Sequence, residues 1–234
     1  MLTGIDLQTY LVFVSAAMAL ILTPGPDTVF VLTQGVSAGK RGGVASALGV
    51  STGILVHTTA ATLGLAALLR ASALAYAAVK YAGAAYILYL GVQTIRRRDE
   101  FELSGGASGG AAETADPTAT GPTATDADLA SGYLRGVTVN VLNPKVALFF
   151  LAFLPQFVGS GAGSGVGAAT PAVEMLALGG TYAALTALYL GTVGLLSGGV
   201  RSVLRARPRA ADGLRWVSGS VLVGLGAALA LESS

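Results

Sequence analysis

Thr23-Pro24-Gly25-Pro26-Asp27 interrupts an apolar stretch that carries no charge from Leu7 to Leu22 or from Thr28 to Gly39. Proline has no backbone N–H, and its ring clashes with the carbonyl one turn earlier, so no regular helix passes smoothly through this point. A continuous helix over 7–39 would be ~50 Å long at ~1.5 Å per residue, against a hydrocarbon core of ~30 Å. The stretch must bend, project or unwind, and Pro24 to Pro26 is where it does so. In lipid, opened backbone is tolerated only against protein or beside a wet cavity. An ionisable residue at that depth is costly and marks a functional site. The motif therefore predicts a membrane-embedded broken helix with Asp27 at its break.

The rest of the chain agrees with a membrane setting. Of 234 residues, 53% are hydrophobic and only 11% charged, with a mean hydropathy of +0.69, whereas a soluble domain carries about 25% charged residues. The chain has no Cys, which excludes disulfides, thiol redox chemistry and thiolate metal sites, and a single His, which excludes a histidine-rich metal site. No cofactor and no resident metal are expected. The N-terminal segment lacks the basic flank of a signal peptide, since the first basic residue is Lys40, so it is expected to stay as a helix.

Six apolar segments have the length of a spanning helix, at 7–35, 42–69, 72–95, 136–158, 174–199 and 213–231. The basic residues orient them. Eleven of the fourteen Lys and Arg fall in the loops after the first, third and fifth spans, while Arg70 alone falls on the other side and Lys80 and Lys145 lie within spans. By the positive-inside rule both termini face outward from the cytoplasmic membrane. The loop over 99–132 is different material: Gly-, Ser- and Ala-rich, with seven acids and no aromatic between Phe101 and Tyr133. It cannot form a core and reads as a disordered cytoplasmic linker between three-span halves at 1–98 and 133–234.

An odd number of spans per half makes the two halves enter the membrane from opposite sides, the mark of an inverted repeat. Laying Ala19-Leu20-Ile21-Leu22-Thr23-Pro24 against Ala152-Phe153-Leu154-Pro155 makes Pro155 the counterpart of Pro24. The fold class is thus an all-α integral membrane protein of six helices in two inverted three-helix repeats.

Broken half-helices expose carbonyls on one side of the break and N–H groups on the other, partners for the ammonium and carboxylate of an amino acid. Asp27 can accept an ammonium group, take up a proton, or simply cap the half-helix that follows. Asn143-Pro144-Lys145 repeats the theme in the fourth span: Pro144 opens the helix, Asn143 can satisfy a freed backbone group, and Lys145 brings a cation near membrane depth. Lys145 either faces Asp27 across the two halves or snorkels to the headgroups. His57 lies mid-span and can relay protons or pack as a satisfied core residue. Gln34, Asn140 and Gln156 are further polar groups near the breaks. Ala45, Gly49 and Gly53 recur every fourth residue and let helices approach closely. Tyr86, Tyr89, Tyr182 and Tyr189 are candidates to line a pathway. No phosphate loop, nucleophile elbow or zinc motif is present, so neither an enzyme nor a nucleic-acid partner is expected. The arginines over 201–215 are accounted for by anionic lipid.

These residues resemble the LysE/RhtB amino-acid exporters. The resemblance is carried by Thr23-Pro24-Gly25-Pro26-Asp27 with Gly39-Lys40-Arg41-Gly42-Gly43, by Ala47-Leu48-Gly49 through His57, by Tyr81-Ala82-Gly83 through Gly91, and by Asn143-Pro144-Lys145 with Phe153-Leu154-Pro155-Gln156-Phe157. It implies six helices and secondary-active efflux of an amino acid or derivative in a homodimer; an acid at Asp27 that can take up a proton makes protons the expected coupling ion. It also implies that Pro24, Gly25, Pro26, Asp27, Asn143, Pro144 and Lys145 matter. One departure stands out: many relatives carry a polar residue three before the histidine, where this chain has Ile54. Rival readings are an inorganic or metal cation transporter and a membrane scaffold that transports nothing.

Overall fold

The computed structural model describes residues 5–23, 25–71, 73–96, 124–158, 170–197, 199 and 208–231. Among them every regular element is a helix. In chain order these are α1 (Leu7–Leu22), α2 (Pro26–Ser37), α3 (Gly39–Ala71), α4 (Ala73–Arg96), α5 (Asp126–Val141), α6 (Pro144–Leu148), α7 (Pro171–Leu195) and α8 (Pro208–Leu231). A π-helical turn (Phe149–Phe153) and a 3₁₀ turn (Leu154–Phe157) continue α6.

Each helix starts where its sequence says it can. Asp6 caps α1 by accepting from the Thr9 N–H at 2.9 Å and the Thr9 hydroxyl at 2.5 Å. Those bonds hold the Asp6 carboxyl below its ordinary range. Pro26, Pro144 and Pro171 open α2, α6 and α7, where a missing N–H costs nothing. Gly39 joins α2 to α3 with φ +71°, a conformation that L side chains rarely adopt.

The break after α1 falls where expected: α1 and α2 meet at 56°. Pro24 itself lies outside the described residues. The second break corrects the repeat alignment. The bend of 52° lies between α5 and α6, at Leu142–Pro144. Pro155 sits in the 3₁₀ turn that ends the second bent segment. The reason is local: Pro144 denies a donor to the carbonyl of Asn140, and Asn143 takes an extended conformation (ψ 106°) that ends one helix and caps the next. Residues 126–132, expected to belong to the linker, form the first turns of α5 instead. Thr125 and Asp128 make a reciprocal capping box that starts the helix there. The remainder of the expected linker, 97–123, lies outside the described residues, as do the loops at 159–169 and 200–207.

By length and composition, two stretches are each able to cross a membrane, Gly39–Gly64 of α3 and Pro171–Leu195, and each bent pair qualifies as one further span. That measure gives up to four spans among the described residues, and α4 and α8 are not among them. Large apolar side chains such as Leu11, Leu63 and Leu188 point outward, as expected of a surface that meets lipid.

The halves interlock. The most extensive helix contacts are α3 with α5, α3 with α7, and α4 with α8, all of them crossing from one half to the other. Glycine makes the closest of these possible: a Cβ on Gly49 would lie 2.0 Å from the Tyr133 carbonyl oxygen, and one on Gly136 would lie 2.4 Å from that of Ser46. Gly91 and Gly219 meet the same way between α4 and α8. Around the junction, α1 buries Phe13, Ala17 and Leu20 against an aromatic cluster of Phe149, Phe150, Phe153, Phe157 and Tyr182.

Candidate functional site

The two breaks face each other, and their chemistry follows from which backbone groups the prolines leave unmet. In an α-helix the carbonyl of residue i accepts from the N–H of residue i+4. Leu20 therefore looks to position 24, which is proline, and Asn140 looks to position 144, which is also proline. Each carbonyl finds a donor on a basic side chain of the opposite half. Lys145 Nζ donates to the Leu20 carbonyl at 3.1 Å and to that of Thr23 at 3.0 Å. His57 Nε2 lies 3.1 Å from the Asn140 carbonyl. A carbonyl only accepts, so this contact places a proton on Nε2. Asn140 also receives the Asn143 N–H at 2.9 Å.

Helix dipoles explain why the lysine turns toward α1. Lys145 sits in the first turn of α6, where the partial positive charge of a helix start repels a cation. The C-terminal end of α1 carries the opposite partial charge and unmet carbonyls, so the ammonium reaches there. Asp27 is in the opposite case: an acid in the first turn of α2, where the dipole favours it. The side chain of Asn143 accepts from the Lys145 backbone N–H at 3.1 Å and so fixes the start of α6.

Asp27 Oδ2 accepts from Asn140 Nδ2 at 2.9 Å. Its other oxygen, Oδ1, is buried and has no hydrogen-bond partner. The hydroxyl of Thr186, a residue of α7 that is only 4% exposed, is likewise buried and unpartnered. Asp27, Thr186, Asn143, Lys145, Thr28 and Tyr182 share one cavity at the junction with Leu20, Ile21, Ile54, Val146 and Leu190. Its volume is about 30 Å³, room for a water or two. An amino-acid-sized solute requires its walls to move apart.

The sequence candidates divide on this geometry. Asp27, Lys145, Asn143 and Gly25 all line the cavity. Lys145 binds backbone carbonyls and not the Asp27 carboxylate. His57 is one step removed, bonded to Asn140 and stacked on Phe150 with ring centroids 6.1 Å apart. Gln156 is not brought to the site; its amide donates to the Ala152 carbonyl at 2.8 Å within its own turn. Of the four tyrosines considered for a pathway, Tyr182 lines the cavity. Asn140 is the residue whose weight the sequence understated. Its signal is positional, four residues before Pro144 on the helix that must stop there. Thr186 carries no comparable signal. Among the described residues no three His, Asp or Glu side chains converge as a metal-binding group.

An acid and a lysine set at the ends of broken, membrane-length helices around a buried polar cavity define a membrane translocator. Comparison with known proteins gives the family: the model for LysE type translocators matches residues 18–233, and the chain belongs to that family. An uncharacterized membrane protein of Pseudomonas aeruginosa is 34% identical over 227 residues, covering 96% of this chain and 94% of its own. A leucine efflux protein of Klebsiella pneumoniae is 30% identical over 230 residues, covering 96% of each chain. A homoserine/homoserine lactone efflux protein of Salmonella typhimurium is 30% identical over 151 residues, covering 64% of this chain and 65% of its own. No solved structure matches the chain.

Proposed function

We propose that the protein exports an amino acid or a close derivative across the cytoplasmic membrane by secondary active transport coupled to protons. The observation that carries this reading is the unpartnered Asp27 Oδ1, buried in a polar cavity where two broken helices meet. A buried carboxylate oxygen without a partner is costly and calls for a donor. A substrate ammonium or a proton meets that need, and competition between them at one oxygen couples the two fluxes. The substrate carboxylate is met by the Lys145 ammonium and by the free N–H groups at the start of α2. The names of the Klebsiella and Salmonella relatives agree with an amino-acid cargo.

In this reading the chain makes six spans in two inverted repeats with both termini outside, works as a homodimer, and alternates access by rocking one half against the other. The test is counterflow in proteoliposomes loaded with each amino acid in turn. Wild type is expected to exchange a class of amino acids at a rate that depends on pH, and Asp27→Asn to lose that exchange at normal expression. Full activity in the variant removes Asp27 from the mechanism, and a pH-independent rate removes the proton.

A further inference from the structure

Resting on the reading of this site as an amino-acid path, we infer that the cargo is a zwitterion with an uncharged aliphatic side chain, and that Ile54 is the residue that sets this preference. The cavity lining holds a single acid and a single base, Asp27 and Lys145, with the unpartnered hydroxyl of Thr186. Its uncharged polar lining is completed by Thr23, Thr28, Asn143 and Tyr182, and its apolar wall is made by Leu20, Ile21, Ile54, Val146 and Leu190. An α-ammonium and an α-carboxylate use both charges: the ammonium goes to Asp27 Oδ1 and the Thr186 hydroxyl, the carboxylate to Lys145. No further charged residue lines the cavity. A third charge on the substrate side chain would be buried without an opposite charge, which is strongly unfavourable. A methylene-rich side chain gains from the same wall.

Ile54 holds a special place in that wall. It is 1% exposed and follows Gly53, whose contact with Asn140 ties this turn of α3 to the residue that holds Asp27. Ile54 thus combines a place in the cavity lining with a place in the core, next to the turn that packs on the partner of Asp27. A polar residue at 54 would give a hydroxylated side chain something to bond, and an apolar pocket otherwise discriminates weakly among solutes of similar shape.

Counterflow with labelled leucine decides the matter. Leucine, isoleucine, valine and methionine are expected to compete at least about tenfold better than lysine, arginine or glutamate in the wild type, the equivalent of one ~1.4 kcal/mol step. Ile54→Asn is expected to lower the leucine-to-homoserine ratio by about tenfold. Ile54→Ala, which keeps the wall apolar, is expected to shift preference toward phenylalanine. Charged amino acids that compete as well as leucine overturn the inference, as do unchanged ratios in both variants. Wild-type exchange that never reaches any amino acid is a different failure, for it removes the export reading on which the inference rests.

Discussion

The two breaks solve one problem with different degrees of backup. Each begins with a proline that strips a donor from the carbonyl four residues earlier, and each carbonyl is met by a basic side chain from the other half. At the second break the Asn140 carbonyl has two donors, the His57 ring and the Asn143 N–H. At the first break, among the described residues, the donor found for the Leu20 carbonyl is Lys145. One break is held largely by its own backbone, and the other by a borrowed charge. A borrowed charge can be taken away, so the first break has the less redundant hold.

The largest effect expected from breaking this contrast comes from Lys145→Met. It keeps most of the unbranched stem and leaves the Leu20 and Thr23 carbonyls without their donor, at about 1–3 kcal/mol for each buried group. Counterflow should fall by about a hundredfold, close to ~2.7 kcal/mol, and the thermal midpoint in detergent should drop. A variant that keeps both exchange and midpoint would show that the ammonium holds nothing at the first break. His57→Phe probes the other side of the contrast. The ring can still stack on Phe150, the Asn140 carbonyl keeps the Asn143 N–H, and the expected loss of stability is about 1 kcal/mol with measurable exchange remaining. A loss as large as that of Lys145→Met would make the two breaks equivalent.

The smallest effect belongs to a cap remote from both breaks. The Asp6 carboxyl is held below its ordinary value of 3.8 by Thr9. A depressed carboxyl contributes stability that is complete above that ordinary value and fades as pH falls through the lower folded value. Asp6→Asn should remove this slope together with the small contribution the carboxylate makes at neutral pH, as melting curves from about pH 6 to about pH 3 would show. A pH slope that persists in the variant has another carboxyl as its source, first of all Asp128, which the capping box with Thr125 holds below its ordinary range.

The first break was legible because two prolines and an acid inside a charge-free run admit few other readings. The starts of α2 and α6 followed from Pro26 and Pro144 by local rules alone, whereas the capping box at Thr125 went unread inside a segment taken as linker. The second break was legible at Asn143-Pro144, while laying Pro155 against Pro24 weighed similarity of letters over that backbone logic and pointed to the wrong counterpart. The destination of Lys145 was open for another reason. Whether a buried ammonium turns to a carboxylate or to helix-end carbonyls depends on distances between segments more than 120 residues apart, and no periodicity reports those. Thr186 was invisible, since a lone Thr on a long apolar helix ordinarily bonds its own backbone, as Thr181 and Thr192 do.

Gly53 gives the hold on Asp27 an unexpected dependency. A Cβ there would lie 2.7 Å from Asn140 Oδ1 and 2.8 Å from Asn140 Cβ, closer than packed atoms tolerate. The acid is thus kept in place by the absence of a methyl group on a neighbouring helix. Every single-base change of a glycine codon that substitutes another amino acid adds that carbon. The gene can therefore lose its grip on the cavity through a codon whose residue does not line it.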